Sequence, residues 1–357
     1  MATTRKLCLF EHWLDPVGQE YLERHAVDTE ISMLSFSSGA ESNWAALEAT
    51  HGYQLLPSTE TPEQFYPGMA LLKRCPDLLA VSSSGAGYDM VDVEACTKAG
   101  VLLFNQSGAN AESVAQHALG MMLALCKNMI QSDRAIRKPD RDWTRWTYMG
   151  SELTGRTLGI VGLGNIGRRL SAICGSAFNM RVIAYDPYIT DQDFIERGAE
   201  KVSLGAVMSE ADFVSIHCPL TEETTGMIGA DQFAVMKPGA YFISTARGGI
   251  HDEAALEKVM ANRRLAGAGL DVFVEEPPCD HHPLMIYPNI IVSPHNAGIT
   301  SDCLYNMARS QAEQWRDVFA GLPPRLLINP DAWPQFSVRY ERILGEPVSG
   351  RAHHEDS

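Results

Sequence analysis

Gly162, Gly164 and Gly167 fall in the run TLGIVGLGNIGRRL, and Asp186 closes the next apolar run, RVIAYDP. The order strand, glycine turn, helix, strand and acidic residue is what a dinucleotide site in a doubly wound sheet requires. The first glycine permits the sharp turn after the strand, the second lets the backbone approach a pyrophosphate, and the third lets the helix pack close to its sheet. The helix N-terminus, entered through Asn165 and Ile166, offers N–H groups and a positive dipole end to the phosphates. Asp186 is placed to accept from both ribose hydroxyls and to repel the extra phosphate of NADP, so the expected cofactor is NAD.

A chain of 357 residues exceeds what one hydrophobic core usually serves, and two domains are expected. No apolar stretch is long enough to span a bilayer, and MATTRKLCLFEHW lacks the sustained apolar segment of a signal peptide. A cytoplasmic location and no membrane partner are the expectation. Cys8, Cys75, Cys96, Cys126, Cys174, Cys218, Cys279 and Cys303 form no CxxC pair and read as reduced, mostly packed thiols. The net charge of -15 argues against a nucleic-acid surface, which needs clustered Lys and Arg, but not against a small anionic substrate.

Because the glycine turn lies near the middle of the chain, something else folds from the first residues. Short strands at 7–10, 54–56, 79–82 and 101–104, with helical segments at 62–73 and 91–99, suggest a smaller α/β domain. Asn110 is expected to cap a buried helix, ESVAQHALGMMLALCKN, in which Met121 and Met122 read as packing. The segment 138–152, with Trp143, Trp146 and Tyr148, reads as an irregular arm. Strands at 181–185, 213–217, 241–244, 267–271 and 290–293 alternate with helices as a parallel doubly wound sheet. An amphipathic helix over 301–320 is expected to return to the first domain. The tail from Asp331, ending in RAHHEDS, reads as a surface extension that becomes disordered.

In such a sheet the strand ends converge on the ligand crevice. Arg247 follows one strand in ISTARGG, Glu276 lies in the loop after another in GLDVFVEEPP, and His295 follows the last in IIVSPHNAG. Together they suit a 2-hydroxy acid: a planar guanidinium for a carboxylate or carbonyl oxygen, an imidazole as proton carrier, and a carboxylate to orient it. Each is also, on spacing alone, an ordinary cap, salt bridge or solvated loop residue. The strand-end residues His217, Pro219, Thr221, Thr245 and Ala246 are assigned to the cofactor with Arg247 and His295. No metal site is expected, because the contiguous Cys279, Asp280, His281 and His282 cannot easily converge on one ion and read as a solvated loop. His353 and His354 read as a polar tail, and His12, His25 and His51 have no partners legible in the sequence.

From Leu79 to Asn329 the chain resembles the D-2-hydroxyacid dehydrogenases, the family of D-3-phosphoglycerate dehydrogenase, hydroxypyruvate and glyoxylate reductases, D-lactate dehydrogenase and formate dehydrogenase. The matching runs are SSSGAGYDMVDVEACTKAGV, NAESVAQHALGMMLAL, LTGRTLGIVGLGNIGRRL, HCPLTEETTGMIG, MKPGAYFISTARGGIHDEAAL, GAGLDVFVEEPP and SPHNAG. The resemblance implies that Arg247, Glu276 and His295 are the catalytic three and that Asp271 lies near the nicotinamide amide. It implies a Rossmann-type NAD-binding domain over 110–299 and a flavodoxin-like α/β substrate domain from 1–109 and 300–330; the polar composition leaves 331–357 as the surface extension. It also implies a homodimer formed through the nucleotide domains. Backbone N–H groups of Ser84, Gly85, Ala86 and Gly87 are then expected to grip the substrate carboxylate, with domain closure completing the site.

Two departures bear on the substrate. Phosphoglycerate dehydrogenases often carry an arginine before the glycine turn, where this chain has Ser83; Arg145 is another cation that could meet a phosphate. His251 stands where the family usually has an apolar residue, and Asn296 reads as a loop residue. The expectation is therefore reduction of a small 2-oxo acid such as hydroxypyruvate or glyoxylate. D-3-phosphoglycerate dehydrogenase is the alternative within the family, and an NADH-sensing corepressor is the alternative of another class.

Overall fold

The computed structural model describes residues 3–26, 28–56, 61–139 and 143–350. The chain divides into two compact units, Met1–Asn110 with Thr300–Ser357, and Ala111–Ile299. The first begins with β1 (Arg5–Phe10), α1 (Val17–His25), β2 (Thr29–Leu34), α2 (Ala40–Glu48), β3 (Gly52–Leu55), α3 (Met69–Arg74), β4 (Ala80–Ser83), α4 (Val93–Ala99) and β5 (Leu102–Phe104). Its strands pair in parallel in the order β2-β1-β3-β4-β5, the flavodoxin-like arrangement. The single helix expected over 62–73 is instead a 3-10 turn at Glu63–Phe65 followed by α3. Pro67 accounts for the break, since it lacks an N–H and holds the preceding residue extended.

The second unit contains α5 (Ala111–Cys126), α6 (Met129–Ile136), β6 (Thr157–Val161), α7 (Asn165–Phe178), β7 (Arg181–Tyr185), α8 (Asp191–Glu196), β8 (Glu200–Lys201), α9 (Leu204–Glu210), β9 (Phe213–Ile216), α10 (Ala230–Val235), β10 (Tyr241–Ser244), α11 (Glu253–Ala261), β11 (Gly267–Leu270) and β12 (Ile290–Val292). All seven strands are parallel in the order β12-β11-β10-β9-β6-β7-β8, which reverses between β9 and β6. This is the Rossmann order extended by one strand, and the reversal opens the crevice that takes a ligand. The central strands β9, β10 and β11 are almost wholly buried, as strands covered by helices on both faces must be.

Two helices complete the first unit. Helix α12 (Ser301–Phe319) is capped by Thr300, whose hydroxyl accepts from Cys303 N, and buries Trp315 edge-on against Phe104 at 4.9 Å. Helix α13 (Trp333–Leu344) corrects the reading of 331–357 as a surface extension. Trp333, Phe336, Tyr340 and Leu344 share one face and are buried in the same core as Leu79, Leu102 and Trp315. The Tyr340 hydroxyl donates to Phe319 O at 2.8 Å, and Arg339 Nε donates to Leu78 O at 2.9 Å. The charged residues between these anchors conceal the helical period in the sequence. RAHHEDS, including His353 and His354, lies outside the described residues.

Candidate active site

The glycine turn is built by close approach. Gly162 has φ +90, and a Cβ there would lie 2.6 Å from Cys218 N, so only glycine lets β6 turn against the end of β9. A Cβ on Gly167 would lie 2.3 Å from Gly162 O, which seats α7 directly on the turn. Gly164 is the opposite case: nothing stands within 4 Å of the position its Cβ would take, and the first turn of α7, with Asn165 and Ile166, opens beside that space. Asp186 accepts from Leu163 N at 2.9 Å and from Tyr188 N at 3.1 Å, tying the end of β7 to the turn.

Further along the sheet edge, polar atoms are enclosed without a partner among the described residues: His217 Nδ1, Ser244 Oγ and Thr245 Oγ1. His217 is half-buried with Nδ1 enclosed; Nε2 pairs with Ser215 Oγ at 2.8 Å, and burial pushes the imidazole down to about 4. Ala246 is buried beside Thr245. A cradle at Gly164, an acid at the end of β7 and enclosed polar atoms at the ends of β9 and β10 fit a dinucleotide. Pro219 and Thr221 stand exposed, Thr221 in a turn in which its N–H donates to Thr224 Oγ1 at 2.8 Å.

Adjacent strands β10, β11 and β12 position the chemistry. Arg247 follows β10, and its Nη1 donates to Ala246 O at 2.7 Å. Gly248 makes the next step possible: a Cβ there would lie 1.8 Å from Phe273 O, so the arginine loop rests on the segment leading to Glu276. Glu276 accepts from Phe273 N at 3.0 Å through Oε1 and meets His295 Nδ1 at 2.8 Å through Oε2. Burial pushes the Glu276 carboxyl up, but the His295 and Phe273 hydrogen bonds and the charges of His295 and Arg247 outweigh it, leaving it below the ordinary range. The structure thus brings Glu276 and His295 into contact, with the Arg247 charge acting on the same carboxylate.

Asp271 is buried and engaged. Ser293 Oγ donates to its Oδ1 at 2.5 Å, Asn296 N to Oδ1 at 3.0 Å and Ala297 N to Oδ2 at 3.0 Å, while His295 N donates to the Asp271 carbonyl at 2.9 Å. The carboxylate holds the turn in which His295 adopts φ +51, a role that the sequence does not display. Ser293, Ser215 and Gly248 also escaped sequence reasoning. The doubled glycine in ARGG and the serine before Pro294 were the available signals.

In the first unit, the hydroxyl of Ser83 donates to Gly87 O, Asn105 Nδ2 donates to Ala86 O at 2.7 Å and Gln106 N to Gly85 O at 3.0 Å. With three carbonyls tied inward, the trans peptides turn the following N–H groups to the other side of the loop. Ser84 is a correction: its N–H is spent on Leu55 O at 2.9 Å, extending the β3–β4 ladder, and cannot grip a carboxylate. Arg145 is exposed and lies over the Trp146 ring at 5.0 Å. In the Cys279–His282 loop, His282 Nε2 pairs with Glu253 Oε2 at 3.1 Å and its Nδ1 accepts from Leu284 N, so it closes a loop. His25 and His51 also find partners, at Tyr21 O and Lys6 N.

Residues 119–297 match the sequence profile of the D-isomer specific 2-hydroxyacid dehydrogenase NAD binding domain. The chain is 35% identical over 259 residues to D-3-phosphoglycerate dehydrogenase of Archaeoglobus fulgidus, covering 72% of this chain and 49% of that protein. It spans about half the length of the curated relatives it matches. The structure of D-lactate dehydrogenase from Aquifex aeolicus, complexed with NAD and lactic acid, aligns with a TM-score of 0.74 and 27% identity, over 88% of this chain and 96% of that one. D-mandelate dehydrogenase of Rhodotorula graminis shares the fold, with a TM-score of 0.79 at 24% identity over 91% and 98% of the two chains. The profile spans half of this chain and runs along the sheet edge that joins the glycine turn to His295, and on that ground the chain belongs to the D-isomer specific 2-hydroxyacid dehydrogenase family.

Proposed function

We propose that this chain is an NAD-dependent D-2-hydroxyacid dehydrogenase that interconverts a small unphosphorylated 2-oxo acid and its 2-hydroxy acid. The observation that carries the reading is the His295–Glu276 pair at 2.8 Å, set beside Arg247 on the edge of the nucleotide-binding sheet. The turn from Gly162 to Gly167, with Asp186, His217 and Thr245, would hold NAD. Bound NADH supplies the hydride for the carbonyl carbon, and NAD in the reverse direction accepts it.

Glu276 takes the Nδ1–H of His295, which fixes the ring and leaves Nε2 to give a proton to the carbonyl oxygen or to remove it from the hydroxyl. The Arg247 guanidinium holds the carboxylate and polarises the carbonyl, stabilising the developing alkoxide. Within the first unit, the N–H groups of Ala86 and Gly87 are proposed as donors to a carboxylate. Ser83 supports an unphosphorylated substrate, because its short side chain is turned onto Gly87 O and brings no cation to the loop.

The relatives named D-3-phosphoglycerate dehydrogenase favour a second reading, in which the substrate carries a phosphate. NADH oxidation measured across glyoxylate, hydroxypyruvate, pyruvate, bulkier 2-oxo acids and phosphohydroxypyruvate separates the two. Preference for an unphosphorylated acid is expected; preference for phosphohydroxypyruvate establishes the second reading, and silence across the panel overturns both.

Asp186 sets the choice of nucleotide in this proposal. Asp186→Ala should raise the KM for NADH and narrow its advantage over NADPH, since the ribose acceptor and the negative charge are lost together. An unchanged NADH to NADPH ratio of kcat/KM would count against that role.

We further place the protein in the cytoplasm as a homodimer. Its eight thiols are unpaired, as in a reducing compartment, and among the described residues no helix is long and apolar enough to cross a membrane. On the second unit Ile136, Trp146 and Met149 are 62%, 67% and 73% exposed. The arm that carries the last two is tied to the end of α5 by Asn128 Nδ2 to Met149 O and Ser151 N to Cys126 O. Sedimentation should show a dimer that Trp146→Glu dissociates; a wild-type monomer, or a variant that stays dimeric, would exclude this surface.

A further inference from the structure

We propose that Ser113 and His117, on the first helix of the second unit, are positioning residues that set the placement of His295; the proposal rests on the acid/base role given above to that histidine. Helix α5 begins at the residue where the chain enters this unit, and the His295 loop ends where it leaves. Ser113 and His117 lie one turn apart on a single face of α5. Ser113 Oγ donates to Ala297 O at 2.6 Å, and His117 Nε2 meets Ser293 Oγ at 3.0 Å. Ser293 gives its own proton to Asp271 Oδ1, so its oxygen accepts and His117 Nε2 carries the N–H. The two contacts therefore hold the loop two residues before and two residues after His295.

Such a tether answers a specific need. A left-handed backbone at a histidine is strained and persists only where its surroundings over-determine it. Asp271 fixes the inner part of the turn through the N–H groups of Asn296 and Ala297. Its carboxylate is buried, and His117 Nε2, at 3.9 Å from Oδ1, is the basic group that faces it across Ser293. Helix α5 is itself held by apolar packing that does not involve these two side chains. Val114, Ala115, Ala118, Met121 and Met122 are buried, and β11 lies so close that a Cβ on Gly269 would stand 2.8 Å from the Met121 sulfur. Removing the polar contacts should consequently loosen the loop and leave the helix in place.

The test uses the full chain with NADH and hydroxypyruvate, and compares His117→Leu, which removes the donor, with His117→Gln, which restores an N–H at about the same reach. His117→Leu should lower kcat about tenfold, the effect of one lost hydrogen bond, with the Kd for NADH unchanged. The primary isotope effect on kcat with deuterated NADH should rise, because misplacing the proton donor slows the chemical step. Amide hydrogen exchange should accelerate at Asn296 and Ala297 and not within α5. His117→Gln should recover most of the rate, and Ser113→Ala should repeat the pattern more weakly. Wild-type kcat and exchange in His117→Leu, or a common fall in kcat, NADH affinity and Tm that glutamine does not repair, would overturn the proposal. His295→Ala is the reference. If it abolishes turnover while His117→Leu is silent, only the tether fails; if turnover survives His295→Ala, the acid/base reading fails and takes the tether with it.

Discussion

Replacing His295 with alanine should lower turnover by about 100- to 10,000-fold, the range for removal of a general acid/base, while leaving NADH affinity close to wild type. The two effects separate because the His295 side chain engages Glu276 at the end of β12, whereas the nucleotide cradle is built at β6 and β7. The loop survives the substitution: its backbone is held by Asp271 through the N–H groups of residues 295, 296 and 297, none of which needs the imidazole. Alanine visits the left-handed region less readily than histidine, a cost that these hydrogen bonds to Asp271 carry. Glu276→Gln should cause a smaller loss: its oxygen can still accept from Nδ1, but its NH2 then faces Phe273 N–H and the charge beside the imidazolium is gone. Steady-state kinetics with hydroxypyruvate and titration of NADH by its fluorescence read both numbers. Turnover within a few-fold of wild type would show that the proton travels by another group, and a parallel loss of NADH binding would show that the substitution damaged the sheet edge as a whole.

The chemistry of this site was legible to different depths at different residues. Arg247, Glu276 and His295 could be read because each follows an apolar run, and a parallel sheet gathers strand ends at one edge. That gathering is also what let the carboxylate be read as the partner that orients the imidazole, although nothing local dictates that Glu276 meets a residue 19 positions later. Asp271 shows the same limit more sharply. Its carboxylate reaches donors 22 to 26 residues away, and only the folded turn reveals that it holds His295 in place. Ser84 was misread because its peptide continues a strand ladder one residue past β4, a detail that depends on the register with β3. Gly248 carries no visible signal beyond its neighbour Gly249, yet its missing Cβ is what allows the loops of β10 and β11 to touch.

The fold followed the same division. Continuous apolar runs betrayed the buried strands β6, β7, β9, β10 and β11, whereas β2 and β8 went unread: both are edge strands, one of mixed exposure and one of two exposed residues. Helix α13 was hidden for a related reason. Its apolar residues fall on one face only, and the charges between them resemble a solvated tail until Trp333, Phe336 and Tyr340 are seen against Leu79 and Trp315.

His251 should make this protein lose stability in mild acid by an amount that one substitution removes. His251 forms a backbone bridge with Ile228, its buried ring lies 5.3 Å from that of Phe242, and neither nitrogen has a hydrogen-bond partner among the described residues. Burial pushes the imidazole down to about 4, against the opposing pull of Glu253 and Asp252. Those two carboxylates are committed elsewhere, Glu253 to His282 and Asp252 to the N-terminus of α11, so neither comes to meet the ring. In the unfolded chain the same group titrates near its ordinary 6.5. As the pH falls below that value the unfolded chain takes up a proton that the folded chain refuses. The contribution is therefore complete above pH 6.5, drains as the pH falls toward 4, and amounts to about 2 kcal/mol between pH 7 and pH 5. His217, also held down to about 4, adds a parallel slope that other substitutions leave intact. His251→Leu should be at least as stable as wild type at pH 7, since two unpaired buried nitrogens are gone, and should exceed it by about 2 kcal/mol at pH 5. Urea unfolding at the two pH values measures the difference. If wild type and variant lose stability in parallel, then His251 is protonated in the fold at little cost, and the apolar setting assigned to it is wrong.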